Sequence, residues 1–351
     1  MSRFLNEKYR ALKPYKPGEQ PQGQKLIKLN TNESPFPPSP KVIEAVRSVE
    51  VGKLNLYPDP EAKGLIKALS EYYNIPEGMI MAGNGSDELL AFSFMAFQND
   101  GGVAFPDISY GFYEVYAEIF GAEAAKIPLD RDLKINIEDY FDAGRMVVIA
   151  NPNAQTGTAV SRSDIEKVLK TNKNNVVLVD EAYVNFGAES SLQLAEEYDN
   201  LLVIQTFSKA RNLAGARVGT AFANEEIIKD LNKIKYSFNP YNLNRLSILA
   251  AIAAVNDDEY FTACMEEIKK TRREFVEDME KLGFKVIPSL ANFVLVRHDK
   301  IGGEELYKAL RDRNILVRHF GNERIKDFVR ITIGNKEEMG ALAAAAKEML
   351  A

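Results

Sequence analysis

The chain has 351 residues, more than one hydrophobic core usually supports, so two domains with a cleft between them are expected. Its composition, 46% hydrophobic and 27% charged, is that of a globular protein, and a net charge of −6 without a basic run argues against nucleic acid or anionic membrane as the main partner. The single cysteine, Cys264, excludes an intrachain disulfide. The two histidines, His298 and His319, supply too little for a metal site or a Ser/His/Asp triad. The first residues lack an apolar leader and no apolar run approaches ~18 residues, which reads as cytoplasmic.

Residues 1–40 are rich in Pro, Asn and Gln without periodicity and read as an extended arm. Ser39-Pro40 then reads as N-cap and first position of a helix through KVIEAVRSV, and a second helical pattern covers roughly 62–73. From 79 onward, short apolar runs alternate with helical stretches. The candidate strands are 79–82, 102–105, 146–150, 176–180, 201–205 and 217–222. Their nearly continuous apolar character fits strands buried on both faces, and the alternation predicts a mostly parallel α/β sheet. A helix-rich stretch from 224 to 282, then FVLVR, LYKALRDRN, ILVRHF, VRITIG and a terminal helix from Lys336, predicts a smaller α+β domain. The expected division is an arm over 1–40, a large domain over 41–240 and a small one over 241–351 that takes in part of the arm.

Ligands of open α/β sheets sit at the carboxyl ends of the strands. Four polar loops follow candidate strands here: GNGSDE (83–88), Asn151-Pro152-Asn153, Asp180-Glu-Ala-Tyr183 and Thr206-Phe-Ser208-Lys209. Ser86 is expected to cap a helix whose free N–H groups suit a phosphate, with the Asp87 carboxylate turned away. Asp180 ends an apolar strand, where a carboxylate is costly without a partner. Lys209, flanked by Thr206 and Ser208 and followed by Arg217, can reach a carbonyl whose attached phosphate its neighbours bind.

These segments resemble fold-type I pyridoxal-phosphate (PLP)-dependent aminotransferases, and within them the histidinol-phosphate aminotransferase branch. The likeness runs in order through KLNTNESPFPPSP, YPDP (57–60), GNGSDE, SYGFY, DEAY, TFSKA-x6-AR-x-G and VRITIG. It implies the PLP-dependent transferase fold: a large, mostly parallel α/β sheet domain between helices, plus a smaller α+β domain. It also implies pyridoxal 5'-phosphate as cofactor, bound by Lys209 as a Schiff base. Asp180 would keep the ring nitrogen protonated through a charge-assisted bond worth ~1.5–3 kcal/mol. Tyr183 would hydrogen-bond the ring's phenolate oxygen and Tyr110 would stack on the ring. Ser86, Asp87 (through its backbone), Thr206, Ser208 and Arg217 would hold the phosphate. Tyr57 would reach the neighbouring site of a homodimer. The family's usual Asn-Pro-Thr-Gly is altered, because Ala154 and Gln155 occupy its first two positions; Asn153 is then the nearest substitute for the family's asparagine.

By the same resemblance Arg330, Arg318 and Tyr15 would hold the substrate's anionic end, and Asn32 and Glu33 would line the pocket near an imidazole. Two arginines and a tyrosine suit a dianionic phosphate better than one carboxylate. The implied reaction is amino transfer between L-histidinol phosphate and 2-oxoglutarate, in histidine biosynthesis. Aromatic amino acid transamination, and a PLP lyase such as threonine-phosphate decarboxylase, remain alternatives at this stage.

Overall fold

The computed structural model describes residues 2–21, 26–48 and 51–350; Val49 of the first predicted helix and residues 22–25 of the predicted arm lie outside them. In chain order the elements begin with β1 (Ile27–Lys28), α1 (Pro40–Arg47), α2 (Lys63–Tyr73), β2 (Ile80–Gly83), α3 (Gly85–Phe97), β3 (Val103–Pro106), α4 (Phe112–Phe120) and β4 (Ala124–Ile127). There follow β5 (Met146–Ala150), α5 (Arg162–Thr171), β6 (Val177–Asp180), β7 (Leu201–Thr206), β8 (Gly219–Ala223), α6 (Glu225–Phe238) and α7 (Arg245–Val255). The chain closes with α8 (Asp258–Lys281), β9 (Lys285–Ile287), β10 (Phe293–Arg297), α9 (Gly303–Asp312), β11 (Ile315–Leu316), β12 (Arg318–His319), β13 (Val329–Thr332) and α10 (Lys336–Leu350).

Seven strands form the large sheet in the order β2-β8-β7-β6-β5-β3-β4, and only β8 runs against the rest. Alternate residues serve opposite faces, as the strand period requires. Val147, Val177 and Val203 pack with Leu65, Leu169 and Ala251 of α2, α5 and α7. Val148, Leu178 and Leu202 pack with Leu90, Phe94 and Tyr113 of α3 and α4. Burial on both faces is why these strands read as unbroken apolar runs.

A smaller antiparallel sheet, β12-β13-β10-β9, is flanked by the C-terminal helices. Part of the arm pairs with the C-terminal part of the chain: β1 pairs in parallel with β11 and the Leu29 carbonyl accepts from Thr332 N. Backbone pairing at both sides thus ties the arm to the small sheet and carries residues 30–33 across the mouth of the large one. Helix α7 packs on α1 and α2, so it sits with the large sheet, and we propose that the division falls after it.

Ser39 caps α1 by accepting from Val42 N, with Pro40 in the first turn, as the sequence predicts. Asn84, not Ser86, holds the cap position of α3, and its N–H donates to Glu88 Oε2 at 2.7 Å. Ser86 therefore lies inside the first helical turn.

Candidate active site

The parallel strands β5, β6 and β7 end at Ala150, Asp180 and Thr206 on one rim of the large sheet, and β2 runs into α3 beside them. This carboxyl edge opens into a cavity of about 570 Å³ lined by Ser86, Asp87, Tyr110, Asp180, Tyr183, Thr206, Ser208, Lys209 and Arg217. An adjoining space of about 320 Å³ shares Tyr15, Tyr110, Tyr183 and Lys209 and adds Asn32, Arg318 and Arg330. Residues scattered from 15 to 330 thus meet in one place, because the arm, the large sheet and the small sheet all border it.

Lys209 is half-buried at the rim, and its Nζ donates to the Thr31 carbonyl at 3.0 Å. Desolvation, helped by the nearby Arg330 charge, pulls its pKa down to about 8, so a sizeable neutral fraction exists near neutrality. Asp180 is 4% exposed; Tyr113 Oη donates to its Oδ2 at 2.7 Å and Ala182 N to its Oδ1 at 3.1 Å. Burial pushes its pKa up to about 6, and among the described residues it makes no salt bridge. A buried carboxylate without a cation fits a protonated ring nitrogen, and a half-buried amine lining the same cavity fits an aldehyde. The donor set therefore suits pyridoxal 5'-phosphate.

The phosphate end is equally specific. Thr206 Oγ1 donates to Ser208 Oγ at 3.0 Å, and Arg217 Nη1 donates to the same Ser208 oxygen at 3.2 Å. Arg217 is held at positive φ, and its Nη2 meets Asp87 Oδ2 at 3.0 Å. The Asp87 carboxylate, expected to turn away, instead fixes two neighbours, since Tyr110 Oη also donates to its Oδ1 at 2.7 Å. Gly219 lets α3 approach: a Cβ there would lie 2.5 Å from Ser86 N. The N–H groups of the first turn of α3 can then face a phosphate.

Two expected residues bond to neighbouring groups. Asn153 is fully buried; its amide donates to the Ile108 carbonyl at 2.8 Å and its oxygen accepts from Gln155 N and Thr156 N. It shapes the loop and does not line the cavity, where Ala154 stands instead. Asn32 borders the cavity, and its amide bonds Tyr183 Oη at 3.0 Å and Thr332 Oγ1 at 3.1 Å. Glu33 lines the cavity and is ion-paired with Lys28.

At the outer end, Arg318 and Arg330 face each other across the β12–β13 ladder. Arg330 Nη1 donates to the Ala154 carbonyl at 2.8 Å while its Nε is buried without a partner. Arg318 Nη2 donates to the Lys16 carbonyl at 3.1 Å. Neither guanidinium meets a carboxylate among the described residues. Tyr15 stacks on Phe112 with ring centroids 4.3 Å apart and lines the same space. Like charges directly opposite on adjacent strands repel, and an anion between them would relieve that repulsion.

The sequence reading missed Tyr113 and Thr31. Tyr113 lies in the first turn of α4, three residues past Tyr110, and the two rings meet edge-on with centroids 5.7 Å apart. Thr31 acts through its backbone and leaves no side-chain signal.

This arrangement is that of an aminotransferase, and the chain belongs to the aminotransferase class I and II family, whose model matches residues 24–345. Histidinol-phosphate aminotransferases of Clostridium botulinum (strain Okra / Type B1) and Brachyspira hyodysenteriae are 47% and 48% identical to it. Each alignment covers 97% of this chain and 96% of the relative. The crystal structure of histidinol-phosphate aminotransferase from Sinorhizobium meliloti, in complex with pyridoxal-5'-phosphate, superposes with a TM-score of 0.86 at 26% identity. That match covers 93% of this chain and 92% of the other.

Proposed function

We propose that the chain catalyses reversible amino transfer between L-histidinol phosphate and 2-oxoglutarate, giving imidazole acetol phosphate and L-glutamate, as a step of histidine biosynthesis. The observation that carries this reading is the opposed pair Arg318 and Arg330, unpaired with any carboxylate among the described residues, beside Tyr15 and next to the Lys209 cavity.

Pyridoxal 5'-phosphate supplies a carbonyl that condenses with amines and a ring that takes up the electrons released when a bond at Cα breaks. Thr206, Ser208, Arg217 and the N–H groups of Ser86 and Asp87 hold its phosphate. Asp180, oriented by Tyr113, would keep the ring nitrogen protonated, and Tyr110, which lines the same cavity, would pack on the ring. Tyr183 donates to the phenolate oxygen. Lys209 would take up and give back the proton of the substrate Cα; a pKa near 8 suits an amine that must both accept and donate near neutral pH. Arg318, Arg330 and Tyr15 fix the substrate phosphate and so orient Cα over Lys209. The distal carboxylate of 2-oxoglutarate uses the same arginines.

We also infer a cytoplasmic homodimer in which Tyr57 reaches the neighbouring site. Tyr57 is 76% exposed, stacks on Tyr241 with centroids 4.3 Å apart, and has its carbonyl held by Arg245 at 3.3 Å. The ring is thus presented outward on an anchored loop. Among the described residues no helix is long and apolar enough to cross a membrane.

Glutamate formation from 2-oxoglutarate tests the substrate, with histidinol phosphate or phenylalanine as donor. Arg318→Ala should cut kcat/KM for histidinol phosphate on the order of 100-fold, as loss of a charge-assisted bond to phosphate implies, and leave phenylalanine within several-fold. Equal losses would return the assignment to an aromatic aminotransferase, and release of carbon dioxide would make the chain a lyase.

A further inference from the structure

The arm residue Asn32 is 1% exposed, has φ of 56°, and uses every polar group it has. Its N–H donates to Thr332 Oγ1 at 3.0 Å, and its carbonyl accepts from Asn292 Nδ2 at 3.0 Å. Because Thr332 Oγ1 receives a hydrogen from the Asn32 backbone, the hydroxyl proton is free to go to Asn32 Oδ1, 3.1 Å away. In this arrangement the amide oxygen faces Thr332, and Nδ2 faces Tyr183 Oη, 3.0 Å away, and donates to it. Tyr183 then accepts on one side, and its own proton is left to point elsewhere. No acceptor for it exists among the described residues, and the ring borders the Lys209 cavity. Ala154 brings only a methyl group to this wall, and Asn153 turns its amide into the loop.

We propose that Asn32 is a positioning residue: the relay Thr332–Asn32–Tyr183 aims the Tyr183 proton at the cofactor's phenolate oxygen, a contact that neither Ala154 nor Asn153 can make. Thr332 lies two residues from Arg330 on β13, so one strand carries both the start of this relay and the anion-binding arginine. The proposal rests on the cofactor reading above.

A hydrogen bond to the phenolate oxygen stabilises its negative charge and weakens its hold on the proton it shares with the Lys209 nitrogen. Loss of the relay should therefore raise the pH at which the lysine-bound cofactor changes colour. The charged groups facing Lys209 are Arg330 of β13, Glu33 of the arm, Asp87 of α3 and Arg217 before β8, and those near Tyr183 are Arg330, Asp180 and Tyr15. All stay in place in the variants chosen, so the field around the lysine is constant.

The test is absorbance titration of the holoenzyme for wild type, Asn32→Gly and Thr332→Val, each also combined with Tyr183→Phe. Glycine keeps the left-handed backbone at position 32 without strain. Thr332→Val keeps Asn32 and removes only the hydroxyl, which serves if the glycine variant folds poorly. The expected result is an upward shift of roughly 0.5–1 in apparent pKa for either single variant. Neither variant should shift it further once Tyr183 is Phe. An unchanged titration, or a shift that persists without the tyrosine hydroxyl, overturns the relay. A wild-type protein with no lysine-bound chromophore overturns the cofactor reading instead, and the relay with it.

Discussion

At the scale of single residues, the site is expensive to fold. Asp180 has its carboxyl pushed up to about 6 by burial, whereas an unfolded aspartate titrates near ~4. Between those values the native chain holds a proton that the unfolded chain has lost, so stability falls as pH rises through that window. The two-unit gap corresponds to about 3 kcal/mol at neutral pH. Asp180→Asn removes a charge that has no cationic partner among the described residues and keeps the shape. The cofactor-free variant should therefore melt higher than cofactor-free wild type at pH 7.5, while the gap closes toward pH 4. Turnover of the loaded enzyme should fall by orders of magnitude. Calorimetry across pH checks the first expectation, and a variant less stable than wild type at pH 7.5 contradicts it. Asp180 and Lys209 were legible in the sequence because a charge at the end of an apolar strand breaks the local pattern. Tyr113 was not, because a tyrosine on the apolar face of a helix looks like core, and it is core in all but its hydroxyl. Asn153 misled for a related reason: sequence gives proximity to the rim, but the direction of an amide depends on which backbone groups its loop leaves unpaired.

At the scale of elements, the meeting of β8 and α3 decides whether the phosphate has a cradle. A Cβ at position 219 would stand 2.5 Å from both Gly85 C and Ser86 N, backbone atoms that cannot swing aside. Gly219→Ala must therefore lift the first turn of α3 off the sheet. Overpacking of this kind costs about 1–3 kcal/mol, and each ~1.4 kcal/mol lost from cofactor binding is tenfold in affinity. The variant should keep its fold, melt lower, and bind pyridoxal 5'-phosphate at least ~10-fold more weakly in a fluorescence titration. Unchanged affinity would mean that the helix terminus does not hold the phosphate. The strands that build this rim were the most readable elements, since β5, β6 and β7 are buried on both faces. Strand β4 escaped notice because it is a partly exposed edge strand with the unremarkable sequence AAKI. Strand β1 is only two residues long, and its partner lies far along the chain at Ile315–Leu316. Pairing at that separation leaves no local periodicity to detect.

At the scale of the whole molecule, the proposed dimer makes a prediction that a monomeric site cannot. Tyr57 is carried on a loop held by Arg245, and Lys235 is buried with its Nζ donating to the Pro60 carbonyl in the same loop. A lysine stem is spent on fixing this turn, so the loop is a rigid projection and not a loose end. If Tyr57 serves the partner's cavity, each site takes its lysine from one subunit and its tyrosine from the other. Tyr57→Ala and Lys209→Ala homodimers then have no intact site, but a heterodimer of the two has one, built from the wild-type lysine of the first and the wild-type tyrosine of the second. Random exchange of equal amounts yields heterodimers in about half of the molecules, hence roughly a quarter of the wild-type site capacity. Where Tyr57→Ala alone keeps less than about a third of wild-type activity, mixing should therefore raise activity above that of Tyr57→Ala once subunits exchange. If Tyr57 instead served its own subunit, every heterodimer would pair a dead site with a weakened one. Mixing would then only dilute the residual activity to half, so the direction of the change on mixing decides between the two arrangements.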